Sequence, residues 1–149
     1  MSKGNEGKFE LVSGSHLILK KGDKVLMSRR CNTNYEDGKY HFPAGHCEPF
    51  EKFIDAAIRE AKEEVGIIVK KEDLKLAHIV HKCNNPKEKA SRMEIFFMTE
   101  KWQGDITNME PDKCDDLKWV DINKLPKNMI PYIKIVMENI KKGIIFSEI

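Results

Sequence analysis

No stretch of this 149-residue sequence approaches the roughly 18 consecutive apolar residues that a bilayer-crossing helix needs. Its opening, MSKGNEGKFE, has no apolar stretch of the kind a secretion signal carries. Neither sign of charge dominates: 26 Lys and Arg against 24 Asp and Glu leave a formal net charge of +2, too even to favour a nucleic-acid or membrane surface. Lysine pairs at 20–21, 70–71 and 141–142 read as solvated surface. The four cysteines, Cys31, Cys47, Cys83 and Cys114, are scattered, with no CxxC pair to nucleate a zinc site and no short framework to staple. Reduced structural thiols, a cytoplasmic location and no membrane partner are therefore expected. Internal repeats and low-complexity linkers are lacking too, so residues 1–149 are expected to form a single domain with its own core.

What the chain does contain is a mixed succession of strand and helix patterns. SHLILKKGDKVLMSRR reads as a hairpin turning at Gly22 and Asp23. NTNYEDGKYH is polar and turn-rich, a loop that leads into the short segment HFPAG. From about Glu51 to Val65 the period becomes helical: Ile54, Ile58, Ala61 and Val65 form one apolar stripe, and Gly66 stands where a helix ends. LKLAHIVHK, RMEIFFMTEKW and DDLKWVDI read as strands, and about Met129 to Lys142 as a second amphipathic helix, with Pro131 suited to its first turn. His78 and His81 could in principle bind a metal, but they fall on opposite faces of a strand and are discounted. Without the regular alternation of a doubly wound fold, this order predicts a mixed sheet between helices.

One cluster, REAKEE, needs a physical explanation, because like charges at helical spacing repel. Glu60, Glu63 and Glu64 stand at i, i+3 and i+4, so they are expected to share a face away from the apolar stripe and to point outward at one spot. Converging carboxylates are the hard oxygen ligands that Mg2+ or Mn2+ prefers, with substrate phosphates and water completing the shell. An acidic helix face that is merely solvated is the alternative for these six residues taken alone.

The fuller pattern decides between them. Gly45 is followed at fixed spacing by Glu51, Arg59, Glu60, Glu63, Glu64, Gly66 and Ile67. This resembles the signature of the Nudix hydrolases, G x5 E x7 R E U x E E x G U with U a bulky aliphatic; every fixed position matches, and only the first U departs, being Ala61. The resemblance implies an α/β fold, the Nudix-type α/β/α sandwich with a mixed β-sheet, and hydrolysis of a nucleoside diphosphate linked to another group. It implies Glu63 and Glu64 as the main ligands of Mg2+ or Mn2+, Glu60 as a further ligand or the base that activates water, and the carbonyl of Ala44 as completing the shell. Glu51 and Arg59 are implied to support the catalytic set as a charge-assisted pair tying the loop to the helix. Metal-assisted, in-line displacement at phosphorus agrees with this set.

Substrate choice lies outside the signature. Arg29 and Arg30 close the hairpin where MutT-like members place a nucleotide-binding arginine, although a surface pair is the plain alternative. Tyr132, in MIPYIKIVM, either borders the nucleobase or belongs to the apolar face of the last helix. Among the acids of EPDKCDDLKWV, Glu110 is the candidate extra metal ligand, against a turn of solvated acids. His41 and His46 could touch phosphate or be partly buried polar groups. Positions 82 to 85 carry neither the proline of ADP-ribose-specific branches nor the tyrosine of dinucleoside-polyphosphate branches, with Pro86 close by. The resemblance then implies a MutT-like pyrophosphohydrolase of nucleoside triphosphates, with ADP-ribose, nucleotide sugars, capped RNA or a nucleotide-sensing module as alternatives. Its partner would be a small-molecule nucleotide, with no stable nucleic-acid partner; a homodimer is compatible with the sequence.

Overall fold

The computed structural model describes Gly7 and residues 10–83 and 90–149; Pro86 lies outside the described residues. Eight strands among them join one mixed sheet: β1 (Leu11–Lys21), β2 (Lys24–Arg30), β3 (Tyr40–His41), β4 (Ala44–His46), β5 (Lys75–Lys82), β6 (Ser91–Thr99), β7 (Cys114–Asp121) and β8 (Phe146–Glu148). The hairpin turns at Gly22 and Asp23 as expected, with Lys21 paired to Lys24. Strand β1 is the spine. It runs parallel to β6 along nine residue pairs and takes β4 antiparallel on its other side, while its far end hands over to β2. β7 extends the sheet from β2, and β8 runs parallel to β5.

Helices α1 (Phe53–Val65) and α2 (Pro131–Lys141) cover the two faces. Alternation along the strands distributes their apolar side chains to both sides. Leu17, Leu19, Leu26, Ile95 and Phe97 pack with Ala57, Ala61 and Val65 of α1. Ile18, Val25, Met27 and Phe96 pack with Ile133, Val136 and Met137 of α2. A sheet buried on both faces explains why the strands read as near-continuous apolar runs. The α1 stripe is finer-grained than its sequence period: Ala56, Ala57, Ala61 and Val65 are fully buried, and Ile54 and Ile58 pack only partly. Ala61, the one departure from the signature, is wholly buried against the sheet. Pro131 opens α2 in its first turn, as expected, and Trp119 stacks on Trp102 with ring centroids 5.9 Å apart. No helix among the described residues is long and apolar enough to cross a membrane.

Candidate active site

The signature forms a strand, a loop and a helix folded against one another. β4 lies beside β1 with Ser15 opposite Gly45, and the Ser15 hydroxyl donates to the carbonyl of Phe53 at 2.6 Å, holding the start of α1 to the same strand. Gly45 is required by space rather than by φ: a Cβ built on it would fall inside the Glu60 carboxylate. At the other end Gly66 has φ 72°, and its N–H closes the helix on the carbonyl of Lys62 at 3.2 Å. The last carbonyls of α1 also have partners outside the helix. Thr107 N–H donates to Val65 at 3.0 Å and Met109 N–H to Glu64 at 3.0 Å, so the loop before β7 is pinned to the helix end and delivers Glu110 to the site.

The three glutamates do not point outward together, as the shared helix face suggested. Glu60 and Glu64 turn in towards β4, while Glu63 is 52% exposed and pairs with Arg59 at 3.2 Å. Helix geometry accounts for this: residues four apart are displaced by about 40° and residues three apart by about 60° in the opposite sense, so Glu63 and Glu64 diverge. Glu64 accepts the backbone N–H of Ala44 at 3.1 Å. Its carboxyl is pushed up to about 9 by burial and by the charges of Glu60 and Glu110, against which the Ala44 N–H acts. Glu60 is also raised, by burial first, with the Arg59 hydrogen bond opposing. Glu110 lines the same cleft, of about 530 Å3, with Glu60, Glu63 and Glu64.

Arg59 ties the assembly. Its guanidinium grips Glu51 through two bonds of 2.8 and 3.0 Å, reaches Glu60 Oε1 at 2.8 Å and donates to the carbonyl of His46 at 3.1 Å. The Glu51 carboxyl is correspondingly held below its ordinary value, by Arg59 before any other cause. As placed, no three His, Cys, Asp or Glu side chains among the described residues stand together as a formed cation cluster. Arg59 holds Glu60 and Glu63 in part, yet the donor chemistry suits a hard cation: oxygen only, in carboxyl groups that burial and neighbouring charge disfavour as anions until a counter-charge arrives.

The hairpin arginines separate, because consecutive strand residues face opposite ways. Arg29 pairs with Asp115 at 2.7 Å and lines neither the carboxylate cleft nor the one beside it. Arg30 lines both. The register between β2 and β7 slips between Arg29 and Arg30, and the loop that follows fixes the Arg30 guanidinium through the Tyr35 carbonyl at 2.7 Å and Thr33 Oγ1 at 3.0 Å. Tyr132 packs on the α2-side core and also lines the second cleft, beneath Lys82 Nζ at 4.0 Å. His41 also lines both clefts; burial, helped by Arg30 and His16, lowers it to about 3, so it is neutral. Sequence reasoning missed His16, Arg92 and Glu94, whose only signal was charge inside an apolar strand run.

A family model for the NUDIX domain matches residues 12–140. The chain belongs to the Nudix family. Among curated relatives of this Nudix chain, the NAD-capped RNA hydrolase NudC of Pseudomonas putida KT2440 is 31% identical over 119 residues, 79% of this chain and 40% of that protein. The chain thus spans about two fifths of the length of that relative. The ADP-ribose pyrophosphatase of Methanocaldococcus jannaschii is 27% identical over 121 residues, covering 81% of this chain and 68% of that one. The crystal structure of a MutT NUDIX hydrolase from Burkholderia pseudomallei superposes with a TM-score of 0.78 at 21% identity, covering 87% of this chain and 97% of that one, and shows the same fold.

Proposed function

We propose that this Nudix domain, spanning residues 1–149, is a divalent-metal-dependent pyrophosphohydrolase that cleaves a nucleoside triphosphate to the monophosphate and pyrophosphate. The observation that carries the reading is the partly buried pair Glu60 and Glu64 turned in beneath β4, with Glu110 lining the same cleft; burial raises both carboxyls, and the charge of Glu60 raises Glu64 further. Mg2+ or Mn2+ would be held by Glu60, Glu63, Glu64 and the Ala44 main chain, with Glu110 at the rim. Glu63 joins at little cost, since its pair with Arg59 is exposed and such pairs contribute little. The bound cation supplies a lowered pKa for water and charge neutralisation at the phosphates. Glu51 and Arg59 position the helix against the loop, and Arg30, at the junction of the two clefts, meets the phosphates. Tyr132 borders the base.

One polar cleft for the phosphates and one adjoining cleft for a single nucleoside favour a mononucleotide. A second reading, hydrolysis of a nucleoside diphosphate bearing a sugar or second nucleotide, is favoured by the names of the relatives, an ADP-ribose pyrophosphatase and an NAD-capped RNA hydrolase. Separating the products from nucleoside triphosphates, ADP-ribose and NAD with Mg2+ distinguishes them. Monophosphate and pyrophosphate from triphosphates at the highest kcat/KM is expected; turnover confined to ADP-ribose or NAD would replace the first reading with the second.

A further inference from the structure

The second cleft, of about 740 Å3, meets the carboxylate cleft at Arg30, His41, Ala44 and Gly45. Its wall carries a charged group that neither the carboxylate site nor the core explains. Glu94 sits in the middle of β6, 3% exposed, between apolar neighbours. The register places it directly beside Gly14 of β1, and Gly14 directly beside His46 of β4. A Cβ built on Gly14 would fall on the Glu94 carboxylate, so the missing side chain at 14 is the space the carboxylate occupies. Arg92 Nε donates to Glu94 Oε1 at 2.7 Å, and Arg92 Nη2 lies 3.0 Å from His46 Nε2. His16 Nε2 lies 2.8 Å from Glu94 Oε2, and its ring stacks on Phe96 with centroids 4.2 Å apart.

Replacing a buried ion group by apolar residues of similar size is often neutral or stabilising in proteins, so burial alone does not account for this one. The Glu94 carboxyl is held down to about 2, where His16 and Arg92 outweigh burial, so it is ionised and only accepts. His16 Nε2 must then be the donor in this bond; His16 Nδ1 is buried and has no hydrogen-bond partner among the described residues. A carboxylate offers about four acceptor positions and its two neighbours use one on each oxygen. The open hydrogen-bonding positions at Glu94 are therefore acceptors, in a cleft that reaches the carboxylate site.

We propose that Glu94, backed by His16, is the specificity-determining residue of the enzyme and selects a nucleobase that bears an exocyclic amino group over its keto counterpart. The inference rests on the reading of the substrate as a nucleotide. An amino group donates into the open acceptor positions, whereas a keto oxygen would set acceptor against acceptor and leave both unpaired, the arrangement by which a polar site rejects an analogue.

Calorimetric titration of the full chain with adenosine and inosine 5′-monophosphates, and with cytidine and uridine 5′-monophosphates, tests it without metal or turnover. In at least one pair the amino member should bind wild type about tenfold or more tightly, and Glu94→Gln should cut that ratio to about threefold or less. Gly14→Ala, which puts a methyl group where the carboxylate lies, should do the same and provides a second variant if Glu94→Gln melts without cooperativity. Equal binding within both pairs by wild type, or a preference that survives in either folded variant, would overturn the inference. The corresponding triphosphates with Mg2+ separate the two readings. Hydrolysis without base preference removes this inference alone, whereas an amino preference in binding without hydrolysis of any nucleotide removes the proposed reaction and leaves the selectivity.

Discussion

Gly45 is the residue whose reason for being glycine is plainest, because the Glu60 carboxylate occupies the volume that any side chain there would take. Gly45→Ala is therefore expected to displace Glu60 and lower kcat by about 100-fold, as a misplacement of about 1 Å in a catalytic group can. Wild-type turnover in the folded variant, read by steady-state kinetics beside a thermal melt, would show that Glu60 has no part in catalysis. At Glu94 the prediction concerns stability. Its folded value of about 2 lies below the ordinary 4.5, so the unfolded chain takes up the proton first as pH falls. The stabilisation is complete above about pH 5 and is lost as pH drops from 4.5 towards 2. Urea titrations should show wild type more stable than Glu94→Gln at pH 7, with the gap narrowing below pH 4.5. A gap that is independent of pH would contradict the ionised assignment.

At the scale of elements, the end of α1 does two jobs. Gly66 turns the chain left-handed, and the carbonyls of Glu64 and Val65 anchor the loop that carries Glu110. Gly66→Ala should cost about 1–2 kcal/mol from the left-handed backbone alone, with a further cost because the added Cβ would meet Met109 Sδ at 3.2 Å. Denaturant melts give the sum of the two; an unchanged midpoint would mean that the turn is not held as described. Much at this scale was legible in the sequence, since periods of two and near 3.6, Gly22 with Asp23, and Pro131 each state a local preference that the packing follows. β8 was not legible. Among the described residues its three residues pair with β5 alone, and the partner contributes more of that strand's order than its own pattern does. The three-residue 3-10 turn at Lys71–Asp73 escaped for a similar reason, a single turn having no period to detect.

For the whole molecule, the mixed sheet between two helices followed from the order of elements, and membership of the Nudix family from one run of spaced residues. The partition of the site was less legible. Which of three neighbouring glutamates is buried depends on the angle at which α1 meets β4, and the separation of Arg29 from Arg30 on where β2 and β7 slip register. The wall of the second cleft formed by residues 14, 16, 92 and 94 is brought together by parallel pairing of strands whose contacting side chains lie 78 residues apart in sequence. The central claim is that the carboxylate cleft holds a divalent cation through Glu60, Glu63 and Glu64. Electron paramagnetic resonance of Mn2+ titrated into wild type, Glu63→Gln and Glu64→Gln tests it directly, with far-UV circular dichroism confirming that each variant is folded. The account predicts binding by wild type and, in both variants, a loss of about tenfold or more in affinity, as expected when a liganding oxygen is removed. Mn2+ binding by both folded variants with wild-type affinity would contradict it.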